Sequence, residues 1–166
     1  MWASRAGVAV TPANGAGAAV LRFDGLRPLT ATATAPFLRS HARTCAFTVA
    51  FTRKVGRAAV GFQFADPVAT YLTPAHTPAA AASYVSLGGA GFCYPAGVSV
   101  GLRYSESNTV ALLLDWEANT LSFTVGAKTA TVPIPPHAAV AYPSLSVEDG
   151  EVEAEVAAVA TPPPPA

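Results

Sequence analysis

The sequence predicts an all-β protein, an antiparallel β-sandwich of two sheets. In most segments apolar residues alternate with small or polar residues at a period of two, the spacing of a strand with one buried face. The segments are separated by Asn-Gly, Asp-Gly and Gly-Gly pairs and by 15 prolines, which are typical of tight turns and sheet edges. No segment is a convincing amphipathic helix of about 12 residues. The 166 residues are expected to form one domain with a sizeable core.

Four strands are predicted from the pattern of apolar residues, near residues 44–53, 58–64, 109–116 and 120–126. In the first strand, the segment TCAFTVAF points its cysteine, its two phenylalanines and its valine to one side. The third strand, TVALLLD, is apolar on both sides. This pattern predicts a central strand that is covered on each face.

The segments YPSLSVED and EVEAEVAAVA are predicted to be the last two strands. In the second of them, Glu151, Glu153 and Glu155 alternate with small and apolar residues and are expected to face water. Its valines also fit a helical stripe, and alanine and glutamate favour helices. We predict a strand because the other periodic segments of the chain are β.

Two stretches have no strand period, residues 67–82 and residues 88–97. Such connections lie at the surface of compact domains and often carry function. The second stretch, GGAGFCYPAG, is glycine-rich, but no helix or lysine follows it, so we do not interpret it as a phosphate-binding loop. The terminal prolines cannot join a sheet. The sandwich is therefore predicted to span residues 1–160, followed by a proline-rich tail at residues 161–166.

The charges exclude some classes of partner. A formal net charge of zero and a pI near 6.8 argue against nucleic acid or an anionic membrane as partners. No apolar run reaches the roughly 20 residues that span a bilayer. Only 12% of residues are charged, which indicates that part of the surface is covered by other proteins. Eight of ten bases lie at or before Arg57 and eight of ten acids at or after Glu106, which predicts opposite charges on neighbouring strands.

The cysteines and histidines offer no metal site. Cys45 and Cys93 each lie in an apolar segment. We interpret them as two reduced, buried thiols of an intracellular, cytoplasmic protein, with a disulfide between them as the alternative. The three histidines are scattered, so no metal and no cofactor is expected. Arg5 and Arg22 precede the first acid, which keeps mitochondrial import as an alternative. A proline and a glycine between them argue against the helix that an import signal uses.

The segment LLDWEANTLSF carries two carboxylates that have two interpretations. In a strand, Asp115 and Glu117 would share a face about 7 Å apart, a separation that suits an acid/base pair. In a hairpin, Asp115 would accept hydrogen bonds from turn N–H groups and Asn119 would adopt a positive φ. The strand has no third carboxylate beside these two. We therefore prefer the turn interpretation, and no catalytic residue is predicted.

The longer segment VALLLDWEANTLSFTVGAK resembles the signature hairpin of SPRY domains, with its Leu-Asp-aromatic-Glu, a short turn, Leu-Ser-Phe and a glycine turn. ATATAPF, CAFTVAF, VGFQFADP and AYPSLSV are similar to other strands of the family in the same order, over about residues 2–158. Two segments depart from the family: Ala-Phe-Thr-Val replaces Trp-Glu-Val-Glu, and SESN replaces a Gly-Asp turn. The resemblance implies a SPRY-like sandwich of concanavalin-like jelly-roll architecture. Its structural signature residues are Asp115, Trp116, Glu117, Asn119, Phe123 and Gly126.

The resemblance also implies a non-enzymatic protein-interaction module. A further possibility is a subunit of a larger assembly, in which burial would explain the low charge and the proline-rich tail. The loops at one edge of the module would bind a protein or peptide partner, with aromatic residues as anchors. Candidates in and beside the two irregular stretches are Tyr71, His76, Tyr84, Phe92 and Tyr94, of which Tyr71 and Tyr94 are the preferred anchors. The basic hairpin TRKVGR is the alternative site.

A lectin-like carbohydrate-binding sandwich is the alternative function. Sugar sites usually place carboxylates and amides beside an aromatic ring, and Asp66 is the only acid between residues 58 and 105. The sequence therefore favours a protein or peptide partner over a sugar.

Overall fold

The computed structural model describes residues 8–12, 18–24, 29–33, 37–64, 84–94, 97–135, 138–148 and 150–159. All regular elements in these ranges are β-strands, which confirms the predicted fold class. In chain order they are β1 (Val8–Pro12), β2 (Ala19–Phe23), β3 (Leu29–Thr32), β4 (Phe37–Leu38), β5 (Thr44–Lys54), β6 (Ala58–Gln63), β7 (Tyr84–Gly88), β8 (Phe92–Tyr94), β9 (Val98–Ser99), β10 (Thr109–Asp115), β11 (Thr120–Val125), β12 (Lys128–Pro133), β13 (Val140–Val147) and β14 (Val152–Val159).

The strands form two antiparallel sheets. Sheet I has the order β1-β2-β14-β5-β10-β11-β12, and sheet II has the order β3-β13-β6-β7-β8-β9, with β4 also paired to β13. The core lies between the sheets, where alternate residues of β5 meet those of β6. Phe47 of β5 contacts Phe62 of β6 edge to face, with ring centroids 5.1 Å apart. Both rings are buried, so this contact joins the two sheets near their centre.

The predicted strands are found within one or two residues of their expected bounds. The last segment forms strand β14, so the helical alternative for its valines is wrong. Residues 88–97 were expected to be irregular, but Phe92–Tyr94 forms the short strand β8. The prediction that β10 is covered on both faces is also wrong. Although β10 lies centrally in sheet I, Leu113 points away from sheet II and is 44% exposed.

The unequal distribution of charge along the chain is explained by pairing across the sheets, as predicted. Each of four ion pairs joins a base from the first half of the chain to an acid from the second half: Arg22–Glu153 (2.6 Å), Arg43–Glu117 (2.7 Å), Arg53–Glu151 (2.9 Å) and Arg57–Glu148 (3.6 Å). The hydrogen bond from Arg22 is the main reason why the pKa of Glu153 lies below its usual value. These side chains are largely exposed, so the pairs specify strand register more than they stabilise the fold.

Both cysteines are free and buried, as predicted. Cys45 lies in β5 of sheet I and Cys93 in β8 of sheet II. Burial raises the pKa of Cys93 to about 11 and also raises that of Cys45, which a contact with the Trp116 side chain partly offsets. Both thiols are therefore expected to be protonated and slow to react near neutral pH. No described part of the chain forms a helix long and apolar enough to cross a membrane.

Candidate functional site

The signature hairpin between β10 and β11 has the turn geometry that the sequence predicts. Asp115 Oδ1 accepts hydrogen bonds from the backbone N–H groups of Glu117 and Ala118, both at 3.0 Å. Asn119 has a φ of 54°, and Gly126 at the next turn has a φ of 61°. The Glu117 carboxylate instead forms the ion pair with Arg43. The two carboxylates therefore serve separate structural contacts and do not form an acid/base pair.

Trp116 and Arg39 close this end of the sandwich. The Trp116 ring is buried, meets Phe64 edge to face, and lies 4.9 Å from the Arg39 guanidinium. Arg39 also donates hydrogen bonds to Trp116 O (2.7 Å), Asn119 Oδ1 (2.8 Å) and Ala138 O (2.9 Å). The buried indole nitrogen of Trp116 has no hydrogen-bond partner among the described residues. The signature residues at this end thus have packing roles.

Asp115→Ala is expected to lower the free energy of unfolding by about 1–3 kcal/mol, because two turn N–H groups lose their acceptor. Asp115→Asn keeps a carbonyl acceptor and should recover most of that loss in urea denaturation. The matched control is Glu117→Gln, which removes only an exposed ion pair and should cost less than about 0.5 kcal/mol. Equal losses for Asp115→Ala and Glu117→Gln would contradict the turn role of Asp115.

At the opposite end of the sandwich, three turns meet and are joined by backbone hydrogen bonds. The β5–β6 turn contacts the β13–β14 turn through Val55 N to Glu151 O and Glu148 N to Arg57 O, each at 2.9 Å. The β7–β8 turn joins them through Gly89 N to Ala58 O at 3.1 Å. Because these bonds connect both sheets, the three turns form one rigid end of the scaffold.

A cavity of about 320 Å³ lies between these turns, and we call it the end pocket. The end pocket is lined by two cations, one carboxylate, one aromatic ring and several small residues. Its lining consists of Lys54, Arg57, Ala58, Gly88, Gly89, Ala90, Tyr94 and Glu148. The mixture of an aromatic ring with opposite charges is suited to a ligand that has both apolar and polar groups.

Two glycines leave room for the side chains of the end pocket. A Cβ atom on Gly88 would lie 3.0 Å from Tyr94 Cε2, and one on Gly89 would lie 2.9 Å from both Cε and Nζ of Lys54. Without these Cβ atoms, the tyrosine ring and the lysine stem can lie directly on the β7–β8 backbone. Lys54 Nζ also lies 5.8 Å from the ring centroid of Tyr104, within the range of a cation–π contact. The ammonium is therefore held in a defined position.

Tyr104 lies in the core next to the end pocket and supports it. Its ring is buried and stacks on Phe51, with centroids 5.0 Å apart. Its hydroxyl lies 2.7 Å from Leu87 O and 3.1 Å from Ala58 O, and shares its proton between these carbonyls of two adjacent strands. Burial raises the pKa of Tyr104 well above its usual value, so the hydroxyl remains a donor at physiological pH. The sequence around Tyr104, GLRYSESN, gave no signal of this role.

The predicted partner-binding residues fall into three groups. Tyr71 and His76 lie outside the described residues, and their roles stay predictions. Tyr84 is only 3% exposed and packs against Tyr94, so its ring supports the site and does not face solvent. Phe92 is 40% exposed on β8 but does not line the end pocket, whereas the half-buried Tyr94 does.

The structure also brings together two regions that the sequence analysis gives as alternative binding sites, the basic hairpin and the glycine-rich stretch. Lys54 and Arg57 of the basic hairpin line the same cavity as Tyr94 of the glycine-rich stretch. Within the described residues, no group of three or more His, Cys, Asp or Glu side chains could hold a metal ion.

Comparison with known proteins identifies the fold. No family profile matches the sequence, and no curated protein matches it. Among solved structures, the SPRY domain of human HERC1 is 16% identical, with a TM-score of 0.64 over 84% of this chain and 86% of that one. A human SPRY domain is 17% identical, with a TM-score of 0.57 over 90% of this chain and 93% of that one. A sialidase is 11% identical, with a TM-score of 0.59, and matches 96% of this chain but only 17% of its own.

The chain therefore has a SPRY-like fold, which confirms the resemblance carried by the signature hairpin. At these identities the likeness concerns the fold alone, and the chemistry of the end pocket has to be argued from its own residues.

Proposed function

We propose that this protein is a non-enzymatic interaction module that binds a protein or peptide partner in the end pocket. One observation carries the proposal. Tyr94, Lys54 and Arg57, from two separate hairpins, converge on a cavity of about 320 Å³ whose walls are fixed by backbone hydrogen bonds. A site held in place before the partner arrives loses little conformational entropy on binding.

The lining of the end pocket indicates the chemistry of the partner. Tyr94 offers an apolar ring and a hydroxyl, which suits an aliphatic or aromatic side chain of a peptide. Lys54 and Arg57 offer charged donors, and Glu148 lies 3.6 Å from Arg57, so the cavity keeps an excess of positive charge. A segment that places an acidic side chain beside an apolar one fits this arrangement. The volume is at the small end of ligand sites, which are about 300–1,000 Å³, and suits a few side chains.

Two further features support the proposal. They are the low content of charged residues in the whole chain and the two buried free thiols. A surface with 12% charged residues suits a subunit that is partly covered within a larger assembly. Free thiols persist in reducing compartments, which supports an intracellular site of action.

A sugar is the second candidate ligand, because a part amounting to 17% of a sialidase chain has a similar fold. Tyr94 and Glu148 lie in one cavity, as an aromatic ring and a carboxylate do in many sugar sites. The peptide is favoured because the Glu148 carboxylate already faces Arg57, whereas a sugar needs carboxylates and amides that accept its hydroxyl protons.

The combined variant Tyr94→Ala, Lys54→Gln is expected to weaken partner binding by about thirtyfold or more, equivalent to about 2 kcal/mol. The partner would be identified by cross-linking and mass spectrometry of cell extracts, and its affinity measured by fluorescence anisotropy. Phe92→Ala is the matched control, since it removes a more exposed ring of the same short strand that does not line the cavity.

Unchanged affinity of the folded double variant would place the site elsewhere. A glycan array gives the other discriminating result. Strong binding of the parent protein to a glycan, lost in the double variant, would support the sugar over the peptide.

A further inference from the structure

We infer that the partner of the end pocket is an extended segment that continues over the end of the sandwich and places a basic side chain in a second cavity. This inference rests on the function proposed above. The second cavity, which we call the charged cleft, has a volume of about 250 Å³ and lies on the outer side of sheet I, where β2, β14 and β5 meet. Its polar lining consists of Arg22, Asp24, Arg53, Glu151 and Glu153.

A β-bulge in β5 directs two adjacent cations into different cavities. The register of β5 with β14 shifts between Glu153 and Ala154, which makes Thr52 an extra residue of β5. Because successive side chains of a strand point to opposite faces, the extra residue reverses which of them face the core. Lys54 therefore lies on the core side and lines the end pocket, whereas Arg53 lies on the outer side and lines the charged cleft.

The end pocket and the charged cleft flank a narrow ridge, which is formed by the β5–β6 and β13–β14 turns. The backbones of these turns are in direct contact, since a Cβ atom on Gly150 would lie 2.6 Å from Gly56 Cα. Val55 on the ridge is 65% exposed, the most exposed large apolar side chain among the described residues. Glu148 lines the end pocket on one side, and Glu151 lines the charged cleft on the other. A segment that occupies both cavities has to pass over Val55.

The two cavities differ in the sign of their charge. The end pocket has two cations and one carboxylate, whereas the described lining of the charged cleft has two arginines and three carboxylates. Hydrogen bonds from Arg22 and from the Thr52 hydroxyl hold the pKa of Glu153 below its usual value, so this carboxylate stays charged at physiological pH. The end pocket therefore suits an acidic side chain of the partner, the ridge an apolar one and the charged cleft a basic one.

The dimensions of the sandwich set the spacing of these three groups in the partner. Packed sheets lie about 10 Å apart, and the two cavities lie on either side of the ridge, so the segment has to span roughly 15–20 Å. An extended chain advances about 3.3 Å per residue. The acidic and the basic residue of the partner are therefore expected about five or six positions apart, with an apolar residue between them.

Photo-cross-linking of the full chain from position 55 tests the path of the partner. Benzoylphenylalanine in place of Val55 keeps an apolar side chain on the ridge. In cell extracts it should capture the same protein as benzoylphenylalanine in place of Ala90, which lines the end pocket. Mass spectrometry should map the two adducts within about six residues of each other on that protein. The same probe at Leu113, 44% exposed on β10, is the control and should not capture it.

The outcomes separate this inference from the proposed function. Adducts from position 90 alone would overturn the inference and leave the end pocket as the binding site. Adducts from position 55 that map to a different protein, or within the protein itself, would do the same. The absence of an adduct from position 90 would overturn the proposed function as well.

One substitution made at two sites tests the opposite charges of the cavities. Glu148→Gln makes the end pocket more positive and should strengthen binding of a fluorescein-labelled peptide of the mapped segment about threefold. Glu151→Gln removes a carboxylate from the charged cleft and should weaken binding about threefold. Both variants add the same net charge and remove a surface ion pair with an arginine, so each is the matched control of the other.

Melting temperatures verify that both glutamine variants remain folded. Changes of affinity in the same direction would overturn the inference, because they would show that the peptide responds only to net charge. An unchanged affinity for Glu151→Gln would overturn it too, because the peptide would then lie outside the charged cleft.

Discussion

Gly61→Ala is expected to destabilise the protein by about 3 kcal/mol or more. A Cβ atom at this position of β6 would lie 2.0 Å from Val85 O and 2.6 Å from Ser86 Cα of the adjacent strand β7. Both are backbone atoms, so no side-chain rotation relieves the clash, and the two strands must separate. The melting temperature should fall by roughly 6–12 °C or more.

The control for this prediction is Gly126→Ala. Gly126 has a φ of 61° and nothing within 4 Å of the added methyl group. Alanine there meets only the conformational penalty of the left-handed region, about 1 kcal/mol. Similar losses for the two variants would mean that β6 and β7 do not approach as closely at Gly61 as the structure shows.

Arg39→Ala is expected to cost about 2–4 kcal/mol, because one guanidinium satisfies three oxygen atoms and covers the Trp116 ring. Arg39→Lys should recover little of this loss, since an ammonium cannot reproduce the planar fork that reaches Trp116 O and Asn119 Oδ1 together. Both variants would be compared by urea denaturation.

The neighbouring Arg43→Ala is the matched control, because it removes only the exposed ion pair with Glu117 and should change stability by less than about 0.5 kcal/mol. Recovery of full stability in Arg39→Lys would show that charge alone, and not the geometry of the guanidinium, closes this end of the sandwich.

The sequence predicts those parts of the fold that depend on local pattern. The alternation in β5, β11 and β14 can be predicted from the sequence because one face of each strand is buried in a single core. The roles of Asp115 and Asn119 are also predictable, because the residue types that a turn requires lie within a few positions of each other in the sequence. Strands such as β12 are missed because small and polar residues replace the large apolar residues that make alternation visible.

The contacts that build the end pocket could not be predicted in this way. Lys54, Gly89 and Tyr104 are brought together by pairing between distant strands, and no spacing within the chain reports such a meeting. Arg39 reaches oxygen atoms 77 to 99 residues further along the chain. The exposure of Leu113 also depends on which face of sheet I is covered, which periodicity alone does not determine.

Photo-cross-linking from Ala90 tests the central claim, that the end pocket is a protein-binding site, most directly. Ala90 is exposed and lines the end pocket, so a benzoylphenylalanine placed there would contact a bound partner. The same probe at Ala118, exposed in the signature hairpin at the opposite end, is the control. In cell extracts, we predict a covalent protein adduct from position 90 that is absent from position 118. Protein adducts that form from position 118, with none from position 90, would contradict it.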